Sequence, residues 1–318
     1  MQRRDFLLPA IASALLPAAG ESPRTQVYKK AGGCEIRADV FSGAGEGPRP
    51  AAVWIHGGAL IMGSRRLPPD SRVLRTLLEA GFTVVSIDYR LAPETRLPGI
   101  IEDVRDAFHW LRRRSGDLGI DPRRIAVCGG SAGGYLTLMT GFCIRPRPGA
   151  LVSFWGYGDI AGPWYSRPDP FYLKQPPVSR QEALAAVGGV PLSEPPEGNT
   201  RFRFYLYCRQ QGAWPKEVTG HDPDAEARWF DRYCPIRNVT REYPPTMLVH
   251  GTADTDVPCQ QSVMMADRLR QAGVEHELVS VPGGGHGLGN ISPAEQDRIY
   301  CDAAAFLRKR VSGISGGV

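Results

Sequence analysis

The sequence of 318 residues is poor in lysine and has no long hydrophobic run. Lysine supplies only five of its 38 basic residues, and no basic cluster is interleaved with aromatic residues, so nothing favours nucleic acid as a partner. The apolar stretch near the N-terminus is interrupted by Pro9 and Pro17 and is too short to cross a bilayer core about 30 Å thick. With 42% hydrophobic and 22% charged residues, the composition excludes disorder as the overall state and indicates a globular core.

The sequence also lacks the paired cysteines of zinc sites and thioredoxin-like sites. No two cysteines have the Cys-x-x-Cys spacing, and we expect neither a metal nor an organic cofactor. The odd number of cysteines leaves at least one thiol unpaired, and their spacing does not decide whether the others form disulfides. The seven are Cys34, Cys128, Cys143, Cys208, Cys234, Cys259 and Cys301.

The chain begins with a charged and then apolar segment. The Arg-Arg-x-Phe-Leu pattern that starts at Arg3 resembles a bacterial twin-arginine export signal. We therefore predict an export signal over 1–20, a main domain over 21–318, and a periplasmic or secreted protein. No cysteine follows the small residues around Ala19, so a lipid anchor in the membrane is not indicated. The alternative is an amphipathic N-terminal helix.

Apolar runs alternate with stretches of helical periodicity along most of the chain. The runs predict strands buried on both faces, as in a parallel sheet, and they cover 51–55, 83–87, 124–128, 151–155, 246–250 and 276–281. The helical stretches cover 71–80, 101–114, 132–143, 260–272 and 293–310. This alternation predicts an α/β fold with a mostly parallel central sheet and helices on both faces. Residues 34–41 alternate between apolar and polar, which predicts a half-exposed edge strand.

Residues 157–244 interrupt this alternation. The stretch 151–245 contains 16 of the 28 aromatic residues and several proline pairs. A long insertion in a compact domain is usually functional or disordered, and disordered segments are poor in aromatic residues. We therefore predict an ordered cap or lid, and the alternative is a structural flap over the sheet edge.

A Gly-x-Ser-x-Gly motif at 129–133 joins a predicted strand to a predicted helix. Such a sharp turn projects Ser131 out of the sheet as a nucleophile, and the start of the helix offers the N–H of Ala132 to an oxyanion. The same pattern recurs around Ser315, but there it lies in a glycine-rich tail after the last helix. Ser131 is therefore the candidate nucleophile.

A His-Gly-Gly sequence at 56–58 ends an earlier predicted strand. Glycines let backbone N–H groups face a ligand with no side chain in between. We predict that Gly57 and Gly58 complete an oxyanion hole together with Ala132. The alternative is an ordinary turn.

A serine nucleophile needs a base, and the base needs an acid that orients it. Among the six histidines, His286 lies in a glycine-rich loop between the last apolar run and the final helix, where it can reach Ser131. His56 and His250 begin glycine turns, and we expect them to be structural groups. The loop after the preceding apolar run contains both Asp254 and Asp256, and either carboxylate can act as the acid.

Together these motifs resemble α/β-hydrolase esterases of the hormone-sensitive-lipase-like and feruloyl/acetyl-esterase-like groups. The order serine, acid, histidine is the one expected of that fold. The Asp-Tyr-Arg-Leu-Ala-Pro-Glu sequence from Asp88 is similar to a signature after the fourth strand of those esterases. The His-Gly-x-x-Asp-x-x-Val-Pro sequence from His250 resembles the acid loop of prolyl-oligopeptidase-type hydrolases, whose first aspartate is catalytic, which implies Asp254. Ala59 stands where the lipase-like group usually has a third glycine, which favours the feruloyl/acetyl-esterase-like branch.

The residues and the resemblance predict a serine carboxylic-ester hydrolase. Its partner would be a small-molecule ester of the short-chain, aryl or sugar class. A serine peptidase is one alternative, although the length leaves no room for the propeller domain of the prolyl oligopeptidases. An inactive binding protein on a hydrolase scaffold is the other, although such proteins commonly lose the nucleophile or the base, and both are present here. The oligomeric state does not follow from the sequence.

Overall fold

The computed structural model describes residues 22–43, 47–196, 198 and 200–312. The predicted export signal over 1–20 and the tail around Ser315 lie outside the described residues. The strands are β1 (Arg24–Ala31), β2 (Cys34–Phe41), β3 (Arg49–Ile55), β4 (Thr83–Ile87), β5 (Ile120–Gly130), β6 (Ala150–Phe154), β7 (Thr246–Gly251) and β8 (His276–Val281). They form one sheet in the order β1-β2-β4-β3-β5-β6-β7-β8.

The sheet is mostly parallel, which confirms the prediction from the apolar runs. Every neighbouring pair from β4 through β8 is parallel, whereas β2 runs antiparallel to both β1 and β4. The prediction of an edge strand at 34–41 is wrong, because β1 pairs along the outer side of β2. The mostly polar, exposed side chains of β1 gave no apolar run by which to recognise it.

Helices cover both faces of the sheet, as predicted. They are α1 (Arg72–Glu79), α2 (Leu97–Arg113), α3 (Ser115–Leu118), α4 (Ala132–Cys143), α5 (Pro163–Ser166), α6 (Arg180–Ala185), α7 (Phe202–Gln211), α8 (Trp214–Thr219), α9 (Gln260–Gln271) and α10 (Pro293–Ser312). Successive side chains of a strand point to opposite faces. In β3, Ala51 and Val53 therefore join the core under α2 and α4, whereas Ala52 joins the core under α1 and α10.

The chain between β6 and β7 folds into short helices and turns. Its described residues contain α5 to α8 and three short 3-10 helices but no strand. Tyr165 is stacked between Trp164 and Trp214, with ring centroids 3.9 Å apart on each side. Trp214 is fully buried. We call residues 157–244 the lid segment.

All seven cysteines are free thiols. Burial raises the pKa of Cys143 and of Cys234 to about 12, so both stay protonated near neutral pH. None of the helices in the described ranges is both long enough and apolar enough to cross a membrane.

Candidate active site

Ser131 lies in a strained turn between β5 and α4. Its φ of 57° and ψ of −120° belong to a region that side-chain-bearing residues rarely adopt. Glycines make the turn possible, because a Cβ on Gly133 would collide with the carbonyl oxygen of Ile55 and a Cβ on Gly129 would collide with the backbone of Gly133. The backbone N–H of Ser131 donates to Phe154 O at 2.9 Å and so ties the turn to β6.

The loop after β3 passes directly beside Ser131. A Cβ on Gly57 would lie 3.3 Å from Ser131 Cβ and 2.8 Å from Gly130 O, so only glycine fits there. Gly58 has a φ of 102°, and its carbonyl accepts hydrogen bonds from the backbone N–H groups of Ile61 and Met62, both at 2.9 Å. In the loops, turns and helix caps of the described residues, the N–H groups of Gly57, Gly58 and Ala132 donate to no backbone oxygen. These donors are therefore available to an oxyanion next to Ser131.

His56 and Tyr89 hold this loop through hydrogen bonds to its backbone and through stacking of their rings. His56 Nδ1 donates to Gly57 O at 2.7 Å, and its ring stacks on Tyr89 with the centroids 4.2 Å apart. The Tyr89 hydroxyl donates to His56 O at 3.0 Å. Burial lowers the pKa of His56 to about 4, so the imidazole is neutral near pH 7 and holds the loop by hydrogen bonding rather than by charge.

Asp88 and Arg90, which flank Tyr89 after β4, form ion pairs. Asp88 accepts from the backbone N–H and the guanidinium of Arg65, both at 2.7 Å. Burial nevertheless raises the pKa of Asp88 to about 6. Arg90 is paired with the fully buried Asp103 at 2.7 Å. Asp88 thus ties Arg65, in the chain between β3 and α1, to the end of β4.

Asp254, and not Asp256, lies at the Nδ1 atom of His286. Asp254 Oδ2 lies 2.8 Å from His286 Nδ1, and its Oδ1 accepts from the N–H groups of Asp256 and Val257 at 2.8 and 2.9 Å. His250 is buried and hydrogen-bonded to Ser262 and Val257, and its Nε2 also lies 3.3 Å from Asp254 Oδ2. Asp254 follows β7 and His286 follows β8, and these neighbouring parallel strands end at the same edge of the sheet.

Charge partners shift the pKa values of this pair in opposite directions. Burial favours the neutral form of Asp254, but hydrogen bonds from His250 and His286 outweigh it and hold the pKa of Asp254 well below its usual range. Burial likewise opposes the charge on His286, but the Asp254 hydrogen bond and the charges of Asp256 and Asp254 raise the pKa of His286. Asp254 is therefore ionised, and the imidazolium form of His286 is stabilised.

Trp155 lies between the Ser131 turn and His286, and the sequence did not reveal this position. A Cβ on Gly130 would lie 3.0 Å from the Trp155 ring, which in turn meets His286 edge-on with the centroids 6.3 Å apart. No hydrogen bond joins Ser131 to His286 among the described residues, and His286 Nε2 instead faces Asp256 Oδ2 at 3.4 Å. Hydrogen bonds of a catalytic set are often long before substrate binds.

The lid segment contributes polar groups that the sequence did not single out. Tyr172, Tyr205 and Arg209 all donate to Asp256 Oδ1. Their aromatic character was visible as an enrichment, but their contact with the acid loop depends on tertiary packing. No group of three or more potential metal ligands is gathered anywhere in the described ranges.

The alpha/beta hydrolase fold family matches residues 52–289 of the chain. The chain therefore belongs to this family, and it is an esterase-like α/β hydrolase, as its motifs predicted. An esterase of Pyrobaculum calidifontis is 26% identical with a TM-score of 0.66, over 91% of this chain and 87% of that one. An esterase of Thermogutta terrifontis, solved with propionate bound, is 22% identical with a TM-score of 0.63, over 95% of this chain and 98% of that one.

Curated proteins that are similar over most of the chain include an esterase and a polyketide synthase. Esterase LipC of Mycobacterium tuberculosis is 29% identical over 82% of this chain, which spans 59% of LipC. Non-reducing polyketide synthase ausA of Aspergillus calidoustus is 31% identical over 95% of this chain, which spans 14% of the synthase. The chain is thus similar to only a part of each.

Proposed function

We propose that the protein is a serine carboxylic-ester hydrolase that works through an acyl-serine intermediate. The observation that carries the proposal is the strained Ser131 turn, with free backbone donors beside it and the His286–Asp254 pair across the Trp155 ring. The similarity to LipC over most of the chain also supports it. We assign the nucleophile, the base and the acid to Ser131, His286 and Asp254.

In the proposed reaction, Ser131 Oγ attacks the ester carbonyl carbon while His286 Nε2 takes the hydroxyl proton. The N–H groups of Gly57, Gly58 and Ala132 donate to the oxyanion that forms. His286 then gives its proton to the leaving alcohol as the C–O bond breaks. Water next attacks the acyl-serine with His286 again as the base, which releases the acid and restores Ser131. Asp254 keeps the proton of the neutral imidazole on Nδ1 throughout.

We further propose that the substrates are short-chain esters of aryl or sugar alcohols. The lid segment is rich in tyrosine and tryptophan, which combine an apolar face with a hydrogen-bonding tip, whereas a long lipid chain favours aliphatic walls. The Thermogutta esterase, solved with propionate and with butyrate bound, supports short acyl groups in this fold.

A panel of aryl esters from acetyl to decanoyl tests this function, with Ser131→Ala as the control variant. The wild type should hydrolyse acetyl to butyryl esters most efficiently, and chains beyond about eight carbons should react poorly, since each excluded methylene forfeits roughly 0.8 kcal/mol of burial. Ser131→Ala should lose several orders of magnitude in turnover on every ester. Efficiency that rises steadily to decanoyl would contradict the short-chain proposal, and an active Ser131→Ala would contradict the mechanism.

We also propose that residues 1–20 direct export, because the Arg-Arg-x-Phe-Leu pattern at Arg3 resembles a twin-arginine signal. Expression of the full chain in a bacterium with a twin-arginine exporter, followed by fractionation and N-terminal mass spectrometry, tests this. Export should be lost when both arginines of the pair become lysine. Accumulation in the cytoplasm with an intact N-terminus would contradict it.

A further inference from the structure

Asp256 is a second carboxylate at the proposed catalytic histidine, and the mechanism of ester hydrolysis does not use it. Its Oδ2 lies 3.4 Å from His286 Nε2. Among the described residues, the hydrogen bonds to the Asp256 side chain go to Oδ1, and none goes to Oδ2. The Asp256 side chain is 18% exposed and that of His286 28%, so both can be reached from the site.

Three side chains of the lid segment fix the other oxygen of Asp256. The Tyr172 hydroxyl donates to Oδ1 at 2.9 Å, the Tyr205 hydroxyl donates to the same atom, and Arg209 Nη1 lies 3.2 Å from it. Arg209 Nη1 also donates to the backbone oxygen of Asp256 at 3.0 Å. Because three donors hold Oδ1, the carboxylate is not free to rotate, and Oδ2 stays directed at His286.

Arg209 is itself rigidly held. Its side chain is 1% exposed, and Asp169 accepts from its Nη2. Four aromatic rings of the lid segment surround the guanidinium at 4.9 to 5.9 Å from their centroids. Because Arg209 is held in this way, the Asp256 carboxylate is fixed before a ligand binds, and little conformational entropy is lost on binding.

We propose that Asp256 Oδ2 binds a hydroxyl group on the alcohol part of the substrate, which makes the enzyme selective for esters of vicinal diols and polyols. This inference rests on the proposed function, in which His286 Nε2 protonates the leaving alcohol. The ester oxygen then lies within hydrogen-bond reach of Nε2. A hydroxyl on the adjacent carbon reaches Asp256 Oδ2, since the two oxygens of a diol are roughly one hydrogen-bond length apart.

A carboxylate distinguishes a hydroxyl group from an ether oxygen. An ionised carboxylate only accepts hydrogen bonds, so it binds a hydroxyl but not an ether oxygen in the same place. Hydrogen bonds to charged groups are also the stronger ones. The same charge repels an alcohol part that is itself anionic.

The proposal is tested with 2-hydroxyethyl butyrate and 2-methoxyethyl butyrate, which share the butyryl group and differ only in a hydroxyl or a methoxy group on the alcohol part. After correction for their rates of hydroxide hydrolysis, the wild type should show a kcat/KM about tenfold or more higher for the hydroxy ester. In Asp256→Asn, the amide oxygen still accepts from Tyr172, Tyr205 and Arg209, and its NH₂ faces the substrate. That donor serves hydroxyl and ether oxygens alike, so the ratio should fall to about one.

Asp169→Asn is the matched control, because it removes the charge of the other carboxylate on Arg209, while its amide oxygen can still accept from Arg209 Nη2 and Asp256 stays at His286. It should retain the wild-type ratio. Equal kcat/KM for the two esters in the wild type would overturn the proposal while ester hydrolysis stands, and this result does not depend on the folding of any variant. A preference that survives in Asp256→Asn would overturn it too. Hydrolysis of neither ester, with a Ser131 that no phosphonate labels, would reject the proposed function and this inference with it.

Discussion

His286 is held between two carboxylates that have different geometric relations to it. Asp254 contacts Nδ1 at 2.8 Å and its side chain is completely buried, whereas Asp256 faces Nε2 at 3.4 Å and its side chain is partly exposed. The first contact fixes the orientation and tautomer of the ring. The second lies on the side where Ser131 and the substrate would meet, so we propose that Asp256 affects the charge of His286 and the binding of substrate rather than the orientation of the ring.

The pH dependence of kcat/KM should report this arrangement. His286 must be neutral to act as a base, and its neighbours raise its pKa. Activity should therefore fall on the acid side with a midpoint above the ordinary histidine value of about 6.5. Asp256→Asn removes a negative charge near Nε2, so the midpoint should move to lower pH, as pH profiles with an uncharged ester will show. A midpoint that stays or rises would contradict the role of Asp256 in the charge of His286.

The two aspartates should differ in their effect on turnover. Asp254→Asn should preserve the fold but reduce kcat by about 10⁴-fold, as the loss of the orienting acid does in a serine protease triad. Asp256→Asn should be milder on an ester without a second hydroxyl. Steady-state kinetics of both variants, with circular dichroism as the check of folding, measure this. If the two effects are reversed, Asp256 is the catalytic acid.

The loop after β3 depends on the lid segment for its shape. Ala59 and Leu60 have φ values of 56° and 63°, which cost strain energy for residues with side chains. Trp214 Nε1 donates to Ala59 O at 2.9 Å, and Arg201 Nε donates to Ile61 O. The lid segment therefore holds the loop that also contains Gly57 and Gly58, two of the proposed oxyanion donors.

Trp214→Phe should accordingly impair catalysis more than binding. It keeps an aromatic ring against Tyr165 but removes the N–H that holds Ala59. We expect kcat to fall between about tenfold and 100-fold with little change in KM, because small displacements of catalytic donors have effects of that size. Trp164→Phe is the matched control, since Trp164 stacks on the same tyrosine but donates to Asp159 O. Equal losses of kcat in both variants would show that the effect is only one of packing.

At the scale of the whole molecule, most of the parallel sheet could be predicted, because strands buried on both faces must be apolar. β1 could not, since its side chains are largely exposed and its place depends on pairing with β2. The Ser131 turn and the His286 loop were visible because tight backbone approaches require glycine. The contacts of Asp256 with Tyr205 and Arg209 were not, because they join residues about 50 positions apart through the packing of the lid segment.

The seven free thiols give a prediction about overall stability. Because the fold contains no disulfide among its described residues, a reducing agent should leave Tm unchanged. Thiol titration of the denatured, unreduced protein should detect all seven cysteines. A lower count, together with a Tm that falls on reduction, would show that the protein folds with disulfides.

Ser131 is the proposed nucleophile on which the other assigned roles depend. A fluorophosphonate probe, followed by peptide mass spectrometry, tests it most directly, because the probe bonds covalently to an activated serine. Ser131 should be labelled in the wild type, Ser315 should not, and the label should be lost in Ser131→Ala and strongly reduced in His286→Ala. Labelling at another serine, or labelling of Ser131 that does not change in His286→Ala, would show that Ser131 is not the nucleophile activated by His286.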